Sequence, residues 1–362
     1  MRSLHSLWLK CHRWAALFLG WILILSGVTG SLLVAARPID RWLHPEFFVA
    51  GPSTVQTPAS WESLRERLTR EFGAKASFTF RPPREASETL QILVRGAWRG
   101  TLYLHPATGA EQGRRGDSEG FLSVLYSLHS ALLMQQTGKA VLACAALIYL
   151  ALCMSGIVLW WPRKWPPSFR MVMNKGLLRA LFDVHRTGGA IVALVVLISI
   201  ATGAYMAWRP IGGWITWISG APVTAMPVLP PGNGPLLSLD ALAQRARDAF
   251  PEGTIGYFLY NPRTDRPLAV RMRVPDDPHP NGRSTVWLDP RDGAVLAKHR
   301  WNELDPGARI NSVVYPLHTG ELGGAPGEIG VALSGLALGV LGTSGIWLWW
   351  RRRSIRQRSN SI

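Results

Sequence analysis

The feature that most constrains this chain is a set of four long apolar stretches that contain no charged residue. They cover residues 14–36, 140–161, 187–208 and 329–350, and each is 22 or 23 residues long. A helix rises about 1.5 Å per residue, so each stretch can cross a hydrocarbon core about 30 Å thick. The sequence therefore predicts four transmembrane helices.

The net charge of +16 indicates how these helices are oriented. Segments 1–13, 162–180 and 351–362 together carry 13 Lys and Arg and no Asp or Glu. Segments 37–128 and 209–317 are each nearly balanced, with 12 basic and 10 acidic residues. Because basic residues are enriched in cytoplasmic loops, we expect both termini and the 162–180 loop in the cytoplasm. The two long segments are then expected in the periplasm of a Gram-negative cell, and the chain in its inner membrane. A nucleic-acid-binding protein would need a basic folded face, which this distribution does not favour.

The first apolar stretch could also be a secretory signal peptide, since Val34 and Ala36 form a weak cleavage pattern. Signal peptides have apolar cores of about 7–15 residues, and this stretch is longer. We expect it to be retained as a membrane anchor. The alternative matters because cleavage would remove His12.

Histidines recur at matching positions in the two halves of the chain. His12 and His185 are each followed by Arg, and each stands 18 residues before a glycine, Gly30 or Gly203. The halves run in the same direction along the chain. This pattern predicts a parallel internal repeat.

A second set of landmarks repeats in the same order. His129 and His318 each stand three residues after a tyrosine and eleven residues before an apolar stretch. A Ser-Gly pair then recurs, with Gly156 and Gly345 each four residues before a Trp-Trp pair and the basic residues that follow it.

Ionisable residues within a membrane are costly, so repeated intramembrane histidines suggest metal ligands. We predict that His12 pairs with His185 near the cytoplasmic face and that His129 pairs with His318 near the periplasmic face. Each pair could hold the iron of one haem b between two neutral imidazoles. The chain contains no Cys-x-x-Cys-His motif, which excludes covalently attached c-type haem.

The repeated glycines are interpreted as positions that leave space beside the cofactors: Gly30, Gly203, Gly156 and Gly345. Eighteen residues make five helical turns, so Gly30 lies on the same face as His12, about 27 Å further along the helix. Two alternatives stay open. Small residues also serve simple helix packing, and an intramembrane histidine can be only a hydrogen-bonding residue.

Five further histidines are weaker candidates. His5 could replace His12 as a ligand, and His44 could line the haem on the periplasmic side. The remaining three are expected in solvent: His105, His279 and His299.

Each long segment is expected to fold as a small α+β domain with an antiparallel sheet. Amphipathic helices are predicted over residues 59–73 and 238–250. The β-rich runs are 77–81, 89–95 and 101–105 in the first segment, and 255–260, 268–274 and 284–289 in the second. Each third run is followed by a Pro-x-x-Gly turn, at 106–109 and 290–293.

Each half consists of a helix, an α+β segment and a second helix. The first helix begins at a His-Arg pair, and the last one ends with Ser-Gly, Trp-Trp and basic residues. This pattern resembles the PepSY-associated transmembrane family. Residues 288–293 (Leu-Asp-Pro-Arg-Asp-Gly) are similar to the strand and turn of a PepSY module. The resemblance covers nearly the whole chain. His105 stands where the second copy has Asp289, which is a departure from that pattern.

Members of this family include inner-membrane siderophore-iron reductases of the FoxB type. The resemblance therefore implies haem b, electron transfer across the membrane and release of Fe(II) from a ferric siderophore in the periplasm. The cytoplasmic segments are too short for a nicotinamide or flavin domain, so the donor would be a quinol, a soluble reductant or a partner reductase. No side chain is assigned a catalytic role beyond the haem ligands.

Two alternative functions stay open on the sequence alone. One is a PepSY-type sensory or binding membrane protein without redox activity. The other is a quinol-linked cytochrome b that serves a different periplasmic acceptor. Membrane lipid is the expected surrounding in every case.

The expected organisation follows from these assignments. In chain order it is a cytoplasmic N-terminus with the first transmembrane helix (1–36), a first PepSY-like periplasmic domain (37–120), a periplasmic-side helix with the second transmembrane helix (121–161), a basic cytoplasmic loop (162–184), the third transmembrane helix (185–208), a second PepSY-like periplasmic domain (209–315), the fourth transmembrane helix (316–350) and a basic cytoplasmic tail (351–362).

Overall fold

The structure is a computed structural model that describes residues 2–55, 57–162, 164–232, 234–263 and 265–359. Its helices are α1 (Arg2–Leu43), α2 (Pro45–Phe48), α3 (Trp61–Phe72), α4 (Gly120–Ala131), α5 (Gln135–Trp160), α6 (Leu177–Asp183), α7 (Gly189–Ala207), α8 (Pro210–Ser219), α9 (Leu239–Ala249), α10 (Pro306–Thr319) and α11 (Gly324–Ser359). Its strands are β1 (Ser77–Arg81), β2 (Leu90–Arg95), β3 (Arg99–Leu104), β4 (Glu111–Gly116), β5 (Thr254–Tyr260), β6 (Leu268–Arg273), β7 (Ser284–Leu288) and β8 (Val295–His299). A π-helical turn, Val184–Gly188, joins α6 to α7.

The chain forms two compact units. The helical unit comprises Met1–Ala36, Leu125–Arg209 and Leu317–Ile362, and the sheet unit comprises Arg37–Val124 and Pro210–Pro316.

The helical unit contains the apolar stretches. Among the described residues, four helical stretches are long and apolar enough to cross a membrane: Leu4–Leu43, Gln135–Trp160, Leu177–Ala207 and Glu321–Ser354. Large apolar side chains on these helices are exposed, for example Phe18 (71%), Leu194 (68%) and Leu333 (60%). Lipid would cover such a surface, whereas water would not favour it. The prediction of four membrane-length helices is confirmed.

The helical unit has its own core. Ile22 of α1, Ala145 and Tyr149 of α5, and Val196 and Ile200 of α7 pack together. Small side chains on α5 bring the helix backbones close, as is typical of helix packing in membranes.

The sheet unit is built on one antiparallel sheet of eight strands in the order β4-β3-β2-β1-β5-β6-β7-β8. The two halves meet where β1 pairs with β5, with Phe78 opposite Tyr260 and Phe80 opposite Phe258. The sequence predicts two separate small domains. The structure instead joins their strands edge to edge, which removes one exposed edge from each half.

A single core lies between one face of this sheet and helices α3 and α9. Alternate strand residues point into it, and Phe80, Ile92, Phe258 and Val270 are fully buried there. Both helices begin at a serine N-cap: the Ser60 side chain accepts a hydrogen bond from the backbone N–H of Ser63, and Ser238 does the same for Ala241. Such caps satisfy backbone donors that the first helical turn leaves free.

The last strand of each half was missed by the sequence analysis. These strands are β4 (Glu111–Gly116) and β8 (Val295–His299), and both lie at the outer edges of the sheet. β4 reads EQGRRG, which lacks the alternation of apolar and polar residues that identifies a strand. Charged residues are common on edge strands because they discourage pairing with other chains.

Candidate functional site

The helical unit brings the four repeated histidines together in the two predicted pairs. The ring centres of His12 on α1 and His185 in the π-helical turn lie 6.3 Å apart. Those of His129 on α4 and His318 on α10 lie 6.1 Å apart. The four residues therefore form two separate His–His sites.

The Nδ1 atom of each imidazole is held by a hydroxyl group on a neighbouring helix. His12 Nδ1 lies 2.9 Å from Ser155 Oγ, and His185 Nδ1 lies 3.3 Å from Ser344 Oγ and 2.9 Å from the Leu341 carbonyl. These contacts fix both rings of the first pair against α5 and α11.

The second pair is held in the same way. His129 Nδ1 lies 3.1 Å from both Thr29 Oγ1 and the Ser26 carbonyl. His318 Nδ1 lies 2.9 Å from Thr202 Oγ1. The four anchoring hydroxyls thus come from the two threonines and two serines that directly precede the repeated glycines.

The hydroxyl contacts favour a proton on Nδ1 of each ring. Each of these four hydroxyls also donates to a carbonyl of its own helix, for example Thr29 to Leu25 and Thr202 to Ile198, both at 2.7 Å. Ser155 donates to Leu152 at 2.7 Å and Ser344 to Leu341 at 3.1 Å in the same way. When the hydroxyl proton is used in this way, the hydroxyl oxygen can accept a proton from Nδ1. Each neutral imidazole then keeps a free lone pair on Nε2, the state in which histidine binds a metal.

The predicted glycines lie directly against these rings. A Cβ atom at Gly30 would lie 3.0 Å from Cε1 of His129, and one at Gly203 would lie 3.3 Å from Cε1 of His318. From the sequence, this space was expected to serve the cofactor. In the structure the missing side chain makes room for the imidazole ring itself.

The glycines beside the first pair follow the same rule. A Cβ at Gly156 would lie 3.4 Å from Cε1 of His12, and one at Gly345 would lie 3.1 Å from Cε1 of His185. Each ring is therefore located by one hydroxyl and one adjacent glycine on the same helix turn.

The ring separations fit a metal atom between two imidazoles. Metal–nitrogen bonds of about 2.0 Å on opposite sides of one atom would place the ring centres about 6 Å apart. An edge-to-face contact can have the same separation, so the distance alone does not decide. With the protons on Nδ1, the two Nε2 atoms of a pair could not hydrogen-bond to each other, and both would be available to a metal.

A bare zinc ion is a poor fit to these sites. Within the part of the chain that the structure describes, no three or more His, Cys, Asp or Glu side chains gather in a metal-binding group. Zinc sites in proteins supply three or four ligands of this kind. Two imidazoles instead suit a metal that brings its other ligands with it, as the iron of haem does.

Comparison with known protein families agrees with the sequence pattern. The profile of the family described as the PepSY-associated TM region matches residues 9–352. The chain belongs to this family. No protein with a curated description matches the sequence significantly.

The His185 site of this PepSY-associated TM protein is formed by an irregular helix turn. His185 lies within the π-helical turn Val184–Gly188, and the preceding Asp183 is buried. Asp183 accepts hydrogen bonds from Arg179 at 2.9 Å and from the backbone N–H of Val172 at 3.0 Å. π-Helical turns often occur at functional sites because they change the direction of a side chain without ending the helix.

The segments after His129 and His318 are also irregular. Leu132 and Leu133 have left-handed φ angles of 48° and 60°, which are unfavourable for leucine, whereas the second half has Gly320 at 83°. A Cβ at Gly138 would lie 1.7 Å from the carbonyl oxygen of Ala131, so only glycine fits there. The first of these turns folds α4 back onto α5, and its backbone is strained at the two leucines.

The remaining histidines do not join these pairs. His5 is exposed on α1, and His44 lies in the sheet unit, where its Nδ1 is 3.3 Å from Glu46 Oε1. The prediction that His279 is in solvent was wrong, since its side chain is only 7% exposed. His105 and His299 are partly buried.

The departure at His105 has a simple structural reason. His105 Nδ1 accepts hydrogen bonds from the backbone N–H groups of Ala107 and Thr108, both at 3.2 Å. Asp289 accepts from the backbone N–H of Arg291 at 2.9 Å in the corresponding turn. Both residues therefore stabilise the turn that follows the third strand of their half.

The four anchoring hydroxyls are the functional residues that sequence reasoning did not assign. Thr29, Thr202, Ser155 and Ser344 were noticed only as landmarks of the repeat. The available signal was that each directly precedes one of the four glycines.

Proposed function

We propose that this protein is an inner-membrane di-haem b reductase that passes electrons outward to reduce ferric iron, held in a siderophore, to Fe(II). The observation that carries the proposal is the pair of His–His sites with ring centres 6.3 and 6.1 Å apart. All four imidazoles in these sites have their Nδ1 within hydrogen-bonding distance of an oxygen on a neighbouring helix. Haem, when bound, supplies one-electron transfer chemistry.

The chain's own residues set the depth of the two sites. His12 contacts Gly156, and His129 contacts Gly30, which lies 18 residues after His12 on α1. At 1.5 Å per residue, the two sites are separated by about 27 Å along α1. A hydrocarbon core is about 30 Å thick, so the sites would lie near opposite faces of the membrane.

The surroundings of each site also suit a neutral, oriented ligand. A hydrogen bond from Nδ1 to a hydroxyl or carbonyl oxygen fixes the ring orientation and makes Nε2 a better donor to a metal. Exposed apolar side chains on the same helices would face lipid and keep water away from the sites.

The direction of transfer is inferred from the charges. The basic segments 1–13, 162–180 and 351–362 favour a cytoplasmic position for both termini and for the loop. The sheet unit would then lie in the periplasm, where the ferric complex would bind. The electron donor would be a quinol or a partner reductase on the cytoplasmic side.

The direct test is a dithionite-reduced minus oxidised visible spectrum of the detergent-purified full chain, with a pyridine haemochrome count. We expect a b-type α-band and about two haems per chain. Oxidation of the reduced protein by a ferric siderophore, followed by stopped-flow absorbance, then tests the acceptor.

Each other outcome has a defined meaning. A coloured protein that ferric siderophores do not oxidise would point to a cytochrome b with another periplasmic acceptor. A colourless protein, purified after expression with ample haem, would contradict the reductase and favour a PepSY-type binding or sensory protein.

A further inference from the structure

The two halves of the sheet carry corresponding rows of side chains on the face away from α3 and α9. Strand register places three neighbours side by side in each row, across β2-β3-β4 and across β6-β7-β8. The rows are Leu93–Thr101–Arg115 and Arg271–Thr285–His299. The central threonine is the same in both, but the flanking side chains differ in charge and position.

An aromatic residue lies beside each row. Tyr103 on β3 pairs with Gly113 on β4, and Trp287 on β7 pairs with Ala297 on β8. Each aromatic residue is two positions before the turn residue of its half, His105 or Asp289. The two surfaces are therefore equivalent in backbone position.

In the first half this surface is covered by the chain itself. The Phe47 ring of α2 stacks on Tyr103 at a centroid distance of 4.6 Å. Arg115 donates two hydrogen bonds, both 2.8 Å, to the carboxylate of Asp40. The surface is thus occupied by one aromatic ring and one carboxylate.

In the second half the equivalent surface is an open cleft of about 170 Å³. Arg271, Thr285 and His299 line it together with Trp287, Arg283 and Asn311. A carboxylate or one aromatic arm of a larger molecule fits this volume, whereas a complete iron chelate would extend beyond it.

The region around the cleft is rich in positive charge. The pKa of His279 is lowered to about 3, first by burial and then by the positive charges of Arg283, Arg271, Arg84 and Arg81. His279 Nδ1 accepts a hydrogen bond of 3.1 Å from the backbone N–H of Asn281. The neutral ring therefore keeps its proton on Nε2 and remains a hydrogen-bond donor.

Two acidic groups near the cleft accept several backbone hydrogen bonds. Asp277 accepts hydrogen bonds from the backbone N–H groups of His279, Arg283 and Ser284. Asp305 accepts from the backbone N–H groups of Ala308 and Thr224, both at 3.1 Å. The side chains that line the cleft are cationic, neutral polar or apolar.

We propose that this cleft binds an anionic aromatic arm of a ferric catecholate, with Arg271 and Arg283 contacting its oxygens and Trp287 its ring. The first half offers a partial precedent: Phe47 stacks on Tyr103, the counterpart of Trp287, and Asp40 pairs with Arg115, the counterpart of His299. In the second half the cations have moved to Arg271 and Arg283. Arginine pairs strongly with anionic oxygens, and an aromatic ring stacks on tryptophan. The identity of the metal complex rests on the proposed reductase function.

The test uses gallium(III) catecholate, because gallium(III) is not readily reduced and binding is then measured without electron transfer. Titration of the full-length protein should give tighter binding of this complex than of a cationic gallium(III) trihydroxamate. Arg271→Leu, which reproduces Leu93 of the first half, should weaken catecholate binding about tenfold or more. Its effect on the trihydroxamate should be small.

Arg95→Leu is the matched control, since it makes the same change on β2 of the covered half. A second variant, Thr285→Asp, places a carboxylate in the centre of the row without removing an arginine, and it should also weaken catecholate binding. The proposal is overturned if both cleft variants bind the catecholate as tightly as the parent. It is also overturned if a non-aromatic gallium(III) tricarboxylate binds equally well and Trp287→Ala has no effect. A parent protein that binds gallium catecholate but contains no haem would support the cleft and contradict the reductase.

Discussion

In the helical unit one small arrangement occurs four times, whereas in the sheet unit corresponding positions carry different side chains. Each of His12, His129, His185 and His318 has its Nδ1 held by a hydroxyl and its Cε1 against the glycine that follows that hydroxyl. The repetition extends to the atoms in contact. Two identical groups, each held by one imidazole on either side, would require four equivalent imidazoles.

The sheet halves repeat their backbone but not their surface. Both have a serine-capped helix, four antiparallel strands and a turn after the third strand. The first half covers its open face with Phe47 and Asp40, and the second half leaves a cleft beside Arg271. The helical unit thus has the same kinds of side chain at its four equivalent sites, whereas the sheet unit has different side chains at corresponding positions on its open face.

Removing one histidine from each pair is the most direct test of whether the two sites are equivalent. We expect His185→Ala and His318→Ala each to lose about half of the pyridine haemochrome, because each haem needs both of its axial ligands. His5→Ala and His44→Ala serve as controls and should retain all of it. Full retention in His185→Ala or His318→Ala would contradict haem ligation at that pair.

The continuity of the sheet can be tested at the junction between its halves. Phe80 and Phe258 are fully buried, lie opposite each other and contact at a centroid distance of 6.2 Å. Each Phe→Ala substitution should lower the free energy of unfolding by about 3–5 kcal/mol. Because they share one cavity, the double substitution should depart from additivity by more than about 0.5 kcal/mol in urea unfolding. Additive effects would indicate two independent domains.

The glycines provide a finer test of the fourfold arrangement. Gly30→Leu places a side chain where the His129 ring lies, so it should reduce haem content at that pair while the other haem remains. Gly20→Leu is the matched control on the same helix, since a Cβ at that position would meet no neighbouring helix or side chain within 4 Å. Equal haem content in both variants, measured by redox-difference spectra, would show that the glycine contact does not matter.

Much of this architecture could be predicted because its signals are local. The apolar stretches, the histidine pairs and six of the eight strands follow from periodicity and spacing within short segments. The pairing of β1 with β5 could not, because those strands are about 180 residues apart and each half alone has a complete strand pattern. Phe80 is buried against Phe258 only once these two distant strands have paired in the folded chain.

The geometry of the histidine sites was predictable only in part. The spacing of His12 and Gly30 indicated a shared helix face, but which ring would contact Gly30 depends on the packing of α4 against α1. The π-helical turn at His185 has no sequence marker, since the residues VHRTG allow an ordinary helix. Burial of His279 depends on the strands and on Tyr315, whose ring centre is 5.4 Å away.

The smallest expected effect is a difference in acid sensitivity between the two halves of the sheet. His279 lies only in the second half, and its pKa is lowered to about 3 by burial and by nearby arginines. Below its ordinary pKa near 6.5, the unfolded state binds a proton that the folded state does not, so stability falls as pH decreases. Between pH 7 and 5.5 the free energy of opening for strands β5–β8 should fall by about 1 kcal/mol.

Hydrogen exchange on the full chain measures that opening strand by strand, and β1–β4 provide the internal comparison. Burial raises the pKa of Asp277, which acts in the opposite direction at more acidic pH, so a variant is needed to isolate the histidine. His279→Gln keeps a polar side chain of similar size and should remove the difference between the halves. Strands β5–β8 of this variant could instead lose as much protection on acidification as those of the parent. That result would show that a group other than His279 controls the acid sensitivity. The positive field around His279 would then be weaker than the nearby arginines imply.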